Sequence, residues 1–290
     1  MEPRSQQLMA SMLRPLEPVP TGYPVRLQSL SVRALVFDLY GTLFVSAAGD
    51  VGVDAATDNV LSLMRAGRDA GIPSLDGAAV AGEGISLLHQ RIEQIHLRCK
   101  EAGISYPEVD IVAVWFWVLE RLGISGVREE QVRLLALSYE CRINPIWPMP
   151  GLSTVLGELR DRSVVLGILS NAQFYTLELF EYLLHAPPER CGFSPDLCLW
   201  SFCEGEAKPS AHLFTRLSAR LGQAGIAPTE VLYIGNDMLK DIWPARQVGW
   251  RTGLFAGDRR SLRLREDDPR VRGVQPDIVL SELAQILTCI

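Results

Sequence analysis

The segment Ala34-Leu35-Val36-Phe37-Asp38-Leu39-Tyr40-Gly41-Thr42-Leu43 constrains the fold more than any other part of the chain. The stretch Val32 to Phe37 is short and mostly apolar, and it ends abruptly in a carboxylate followed by Gly-Thr. A short apolar run of this kind predicts a strand buried on both faces, as in a parallel sheet covered by helices on either side. The carboxyl end of such a strand is where open α/β sheets bind their ligands, and Asp38 stands there.

The rest of the chain supports a parallel sheet with an interruption. Residues 1–30 are proline-rich and read as an irregular arm or a short added element. From Ser46 to about Asn144 the apolar positions recur at helical spacing. Ile85, Leu87, Leu88, Ile92, Ile95 and Leu97 form one such series, and Ile111, Val112, Val114, Trp115, Val118, Leu119 and Leu122 form another. No strand-turn-strand signal interrupts them, so residues 46–145 read as an all-helical insert. The aromatic cluster Trp115, Phe116 and Trp117 reads as part of that insert's core. Pro145, Pro148 and Pro150 then make a stiff connector ending at Gly151. After it, expected strands at Val164 to Leu169, Leu197 to Phe202, Val231 to Ile234, Thr252 to Phe255 and Asp277 to Leu280 alternate with helical stretches. The charge-dense segment Arg259 to Arg272 reads as a solvated loop. The expected fold class is therefore α/β: a doubly wound, Rossmann-like parallel sheet built from residues 31–45 and 146–290, with residues 46–145 inserted.

Bulk properties narrow the function classes. A chain of 290 residues has room for two domains. Its net charge of −6 argues against a general nucleic-acid or membrane-surface binder, since both partners need basic fields. None of the six cysteines forms a C-x-x-C pair, and a reducing compartment fits best. The N-terminal stretch lacks the long apolar core of a signal peptide, and no run approaches the roughly 20 apolar residues of a membrane helix. The expectation is a cytoplasmic protein, monomeric or homodimeric, acting on a small molecule.

Polar groups follow the expected strands at four places: Asp38 with Thr42, Ser170-Asn171, Lys208, and Gly235-Asn236-Asp237 with Asp241. In a doubly wound sheet these ends converge on one crevice. A carboxylate there becomes a useful nucleophile when cations neutralise and orient the electrophile. Lys208 supplies a point charge, and Thr42 and Ser170 can donate hydrogen bonds. Asp38 and Asp237 can share one Mg²⁺, which favours a few carboxylates together with waters and substrate phosphate.

In order and strand context, these residues resemble the four motifs of the haloacid dehalogenase (HAD) superfamily of hydrolases, from about Val32 to the C-terminus. The insert lies where that superfamily carries its helical cap domain. The resemblance implies an enzyme in which Asp38 is the nucleophile, with Thr42, Ser170 and Lys208 as its catalytic partners. It implies that Tyr40 and Asn171 face the substrate. It also implies that Asp38, the backbone carbonyl of Tyr40 and Asp237 hold Mg²⁺, with Asp241 supporting that site.

The two ends of the pattern imply different reactions. Family phosphatases carry Asp at the position of Tyr40, and such acid–base help is worth roughly 10²–10⁴ in rate. A tyrosine with a pKa near 10 is a poor base at neutral pH. Tyr40 instead resembles the L-2-haloacid dehalogenases, which displace halide without metal. Arg65 and Arg68 lie near where those enzymes place a substrate-binding arginine, although they read as surface residues. Asn236-Asp237-Met238 resembles the metal-dependent branch, because a second carboxylate beside Asp38 leaves the site strongly anionic unless a cation binds. The expectation leans toward a Mg²⁺-dependent phosphatase of a small phosphorylated metabolite. A 2-haloacid dehalogenase and a catalytically impaired phospho-ligand-binding protein are its alternatives.

Overall fold

The computed structural model describes residues 3–48 and 56–290; residues 49–55, part of the expected insert, lie outside the described residues. The strands are β1 Ala34–Phe37, β2 Phe44–Ser46, β3 Ile146–Pro148, β4 Val165–Ser170, β5 Phe193–Trp200, β6 Val231–Gly235, β7 Arg251–Phe255 and β8 Ile278–Leu280. Six of them form one parallel sheet in the order β5-β4-β1-β6-β7-β8. Taken in chain order within that sheet, this is the doubly wound arrangement, with its topological switch at the central strand β1.

The central strands are buried along their whole length, which is why their sequences are continuously apolar rather than alternating. Leu35 and Phe37 face one hydrophobic cluster, and Ala34 and Val36 face another on the opposite side. The two-residue period of a strand sends neighbouring side chains to opposite faces. One face is covered by α9 (Ala211–Gln223), whose Leu213, Phe214, Leu217 and Leu221 make its buried stripe. The other is covered by α6 (Leu152–Asp161) and α7 (Tyr175–Leu184). The expected sheet strands are all present, with corrections at their ends: β1 starts at Ala34 rather than Val32, and β5 starts at Phe193, four residues before the expected Leu197. Phe202 belongs to the short helix α8 (Ser201–Glu204), because β5 ends at Trp200.

Between β2 and β3 lie α2 (Ala56–Asp69), α3 (Ala78–Glu101), α4 (Ile111–Arg121) and α5 (Glu129–Ile143). Asp110 starts α4 by accepting hydrogen bonds from the backbone N–H groups of Val112 and Ala113. Of the aromatic cluster only Trp115 is core. Phe116 is exposed, and Trp117 is half-buried at the core's edge with the guanidinium groups of Arg91 and Arg121 over its ring. Leu97, placed in the expected apolar series, is exposed as well. The stiff connector is paired at its start: Ile146 to Pro148 run antiparallel to Phe44 to Ser46. The insert thus leaves and rejoins the sheet through a two-stranded stalk.

The N-terminal residues are also more ordered than their prolines imply. α1 (Pro3–Met12) buries Leu8 and Met9 and packs against both α5 and α7. The following extended strap runs along β8, where Arg26 and Val279 exchange backbone hydrogen bonds of 3.0 and 2.8 Å. No described helix is long and apolar enough to cross a membrane.

Candidate active site

Register brings the polar strand ends together. Phe37 is level with Ile168 of β4 and Ile234 of β6, so Asp38, Ser170 and Asn236-Asp237 emerge at one end of adjacent strands. The Asp38 N–H donates to the Ile234 carbonyl at 2.9 Å, which fixes the start of its loop. The Asp38 carboxylate is nearly buried, and both of its close partners bind the same oxygen. Ser170 Oγ donates to Oδ1 at 2.9 Å, and Lys208 Nζ lies 2.7 Å from Oδ1. Neither bond uses Oδ2.

Lys208 is the hub of this group. Its ammonium also lies 2.5 Å from Asp241 Oδ1 and donates to the Tyr233 hydroxyl at 3.1 Å. Burial alone would pull its pKa down, but the carboxylates of Asp241 and Asp38 raise it above the usual lysine range. Burial pushes the Asp241 carboxyl up to about 6, against the opposing pull of Lys208. Asp241 also accepts from the Asp237 N–H through Oδ2 at 2.9 Å. Gly235 permits this: a Cβ there would sit 2.4 Å from the Asp241 carboxyl carbon. Buried charges of this kind cost desolvation energy and are weak stabilisers, so the arrangement points to function.

Asn171 secures Lys208 from behind, accepting the Lys208 N–H on its Oδ1 at 2.7 Å. Thr42 is fully buried and donates to Asn236 Oδ1 at 3.2 Å, tying the loop after β1 to the loop after β6. Tyr40 lines the crevice, and its hydroxyl bonds Thr176 Oγ1 at 2.7 Å. Burial, reinforced by the nearby Glu140 carboxylate, drives its pKa far above the ordinary tyrosine value. Arg65 and Arg68 are exposed, and Arg68 pairs with Asp76.

Asp237 is not arranged as a metal ligand. Its Oδ1 caps the following turn, accepting from Leu239 N at 2.8 Å and Lys240 N at 3.0 Å. Its Oδ2 receives Arg265 Nη2 at 2.7 Å and Nε at 3.1 Å. Among the described residues, no three of His, Cys, Asp and Glu are grouped to hold a metal ion. Asp38, Asp237 and Asp241 reach one crevice, but Asp237 and Asp241 have both oxygens engaged by a cation or by backbone amides and Asp38 keeps only Oδ2, so the set does not fit Mg²⁺ as it stands. Arg265 overturns part of the sequence expectation, because Arg259 to Arg272 is not simply a solvated loop.

The crevice opens into a cavity of about 600 Å³ between the strand ends and the inserted helices. Lys240 and Arg263 line it from the sheet side, and Glu108 and Glu140 from the inserted side. Glu140, on α5, accepts from Tyr175 OH at 3.0 Å and Asn144 Nδ2 at 3.1 Å. Burial raises its carboxyl pKa. Glu108 accepts from Ser201 Oγ at 2.6 Å and Gln173 Nε2 at 3.1 Å, and burial raises it too. Sequence reasoning passed over Arg265, Glu108 and Glu140. A signal existed for two of them. Glu140 is a lone charge in the otherwise buried run Leu134 to Cys141, and Arg265 follows the carboxyl end of β7, on the same edge as the other site residues.

Several solved structures are similar to this chain at low identity. A 2-haloacid dehalogenase from Pseudomonas syringae pv. Tomato DC3000 superposes with a TM-score of 0.56 at 19% identity, over 89% of this chain and 97% of that one. A predicted phosphoglycolate phosphatase from Haemophilus somnus 129pt gives 0.47 at 18% identity, over 89% and 97%. A HAD phosphatase from Thermococcus onnurineus gives 0.48 at 17%, over 89% and 97%. No curated protein matches the chain. The family model for haloacid dehalogenase-like hydrolases matches residues 32–249, which carry every strand end that builds the crevice except the arginine loop, and the chain belongs to that family of hydrolases.

Proposed function

We propose that the protein hydrolyses a small molecule through an ester formed on Asp38, displacing from carbon a leaving group that departs as a stable anion, with a 2-haloacid as the substrate class. The observation that carries this reading is Tyr40. It occupies the position where a carboxyl would protonate a leaving alcohol, and its hydroxyl, half-buried at the crevice wall, is bonded to Thr176 and held in the neutral form. Halide needs no proton, so this site loses nothing by lacking that acid.

In the first step an Asp38 carboxylate oxygen bonds the carbon while the carbon–halogen bond breaks, and the halide leaves with the bonding pair. Ser170 and Lys208 both hold Oδ1, which leaves Oδ2 as the attacking atom. In the second step one water cleaves the ester, giving the hydroxylated product and a proton and restoring Asp38. Lys208 stabilises the carboxylate in the resting state and the charge that develops on the ester oxygen. The cavity of about 600 Å³ is larger than a two- or three-carbon acid fills, so the substrate carries further groups toward Glu108 and Glu140. In this reading residues 46–145 act as a cap that excludes water from the crevice.

The test is halide release from a panel of 2-halo acids of increasing chain length, in the presence of EDTA. Release that disappears in Asp38→Asn supports the reading. A second reading, a Mg²⁺-dependent phosphatase, draws on the carboxylate of Asp237 beside Asp38 and on Lys240 and Arg263 lining the cavity. Phosphate release that requires Mg²⁺, without any halide release, would replace the first reading with the second.

A further inference from the structure

Arg265 reaches Asp237 from a loop that is built rather than loose. After β7, Asp258 is buried and receives the Val19 N–H from the N-terminal strap at 3.1 Å, while Arg259 N donates to the Val19 carbonyl at 2.7 Å. Thr21 Oγ1 donates to the Ala256 carbonyl at 2.6 Å. Further along, the Ser261 carbonyl accepts from Asn236 Nδ2 at 2.6 Å. Arg263 then pairs through its backbone with the residues on either side of Asp237. Its N–H donates to the Asn236 carbonyl at 3.0 Å, and its carbonyl accepts from Met238 N at 2.8 Å. Two residues on, Arg265 takes a left-handed backbone conformation (φ 53°), uncommon for a residue with a side chain, and lays its guanidinium on Asp237.

We propose that Arg265 is a built-in cation that takes the place of a divalent metal in this crevice, closing Asp237 to Mg²⁺ so that turnover at Asp38 proceeds without metal. The proposal rests on the reading of Asp38 as nucleophile and goes beyond it by naming the residue that decides metal dependence. Three carboxylates (Asp38, Asp237 and Asp241) are ion-paired by two cations (Lys208 and Arg265), and Lys240 and Arg263 add positive charge to the cavity lining. The guanidinium therefore reduces the anionic charge that would attract Mg²⁺, and its planar fork covers the Asp237 oxygen the metal would need. Mg²⁺ gives up its hydration shell reluctantly and requires near-octahedral oxygen ligands, so it competes poorly with an arginine already in place. The sequence pattern of a metal site is retained, but the loop after β7 occupies it.

The deciding experiment titrates Mg²⁺ calorimetrically, and Mn²⁺ by electron paramagnetic resonance, into the wild-type protein, Arg265→Met and Arg265→Lys. Wild type and Arg265→Lys are expected to bind neither ion appreciably, while Arg265→Met binds at least about tenfold tighter, and Asp237→Asn in that background removes the gain. Thermal melts establish that each variant is folded, and the wild-type and Arg265→Lys titrations still decide if Arg265→Met does not fold. Tight Mg²⁺ binding by the wild type, or equal binding by wild type and Arg265→Met, overturns the proposal. Because the readout is metal binding, it stands whatever the substrate proves to be. Failure to find halide release would count against the proposed reaction alone. With a substrate in hand, wild-type turnover should be unchanged by EDTA, and an EDTA-dependent loss restored by Mg²⁺ overturns the proposal.

Discussion

Gly41 and Ser261 approach so closely that a Cβ on residue 41 would lie 2.5 Å from the Cβ of Ser261, and Gly41 itself has φ 80°. The loop that carries the nucleophile and the loop that carries Arg265 are therefore packed backbone against side chain. Glycine at 41 serves both needs, a left-handed turn and room for a neighbour. Gly41→Ala should destabilise the protein by on the order of 2–4 kcal/mol in chemical denaturation, from the backbone penalty and the overpacking together. It should also weaken the hold of Arg265 on Asp237, which a Mn²⁺ titration reads directly.

Covalent chemistry at Asp38 leaves an isotopic record. In multiple turnovers in ¹⁸O-water, one Asp38 carboxylate oxygen should become labelled, visible by mass spectrometry of the peptide containing it. In a single turnover the product should carry unlabelled oxygen from Asp38. Asp38→Asn should lower turnover by at least about 10³-fold, since the nucleophile itself is removed. Label appearing in the product but never in the protein would point instead to direct attack by water.

Lys208 stands between Asp38 at 2.7 Å and Asp241 at 2.5 Å, with its side chain almost fully buried. Lys208→Met strands two carboxylates in a dry site and should cost about 3–5 kcal/mol of stability as well as activity. A combined Lys208→Met, Asp241→Asn variant should regain part of that stability without regaining turnover. Denaturant midpoints and steady-state rates separate the two effects.

The Tyr40 hydroxyl meets Thr176 Oγ1 at 2.7 Å, and no step assigned to this site needs its proton. Tyr40→Phe should change turnover by less than about tenfold and stability by about 0.5–1.5 kcal/mol. A loss of several orders of magnitude in turnover, with stability intact, would make the hydroxyl a participant.

Glu140 lets the pH dependence be predicted with its sign. Burial raises its carboxyl pKa above the ordinary 4.5, so the folded state holds this proton more tightly than the unfolded chain. That contribution is fully present below pH 4.5 and is lost as pH rises through the raised native value. Stability from this group thus falls with increasing pH. Glu140→Gln should flatten that fall when urea denaturation is followed from below pH 4.5 upward through neutral pH.

Much of the molecule was legible in the residues. Largely apolar stretches at Ala34–Phe37, Val165–Ser170 and Val231–Gly235 announce central parallel strands, because burial on both faces leaves little room for charged positions. Asp38, Ser170, Asn171, Lys208, Asp237 and Asp241 stand at or beyond strand ends, so sheet topology alone delivers them to one crevice. The N-terminal helix and the β2–β3 stalk were hidden by their prolines: Pro3 opens α1, where its missing N–H is harmless, and Pro148 sits at the end of an edge strand.

Which cation meets which carboxylate depended on tertiary structure. The residues name three carboxylates and one lysine and imply that a metal balances them, because a chain read linearly gives Arg265 no reason to lie near Asp237, 28 positions away. The loop after β7 brings it there through the Val19–Asp258, Asn236–Ser261 and Asn236–Arg263 bonds. Local sequence determines strands and their ends because burial and backbone pairing act over a few residues. Charge balance in a buried crevice is set by groups converging from distant segments, and only the fold decides which of them arrive.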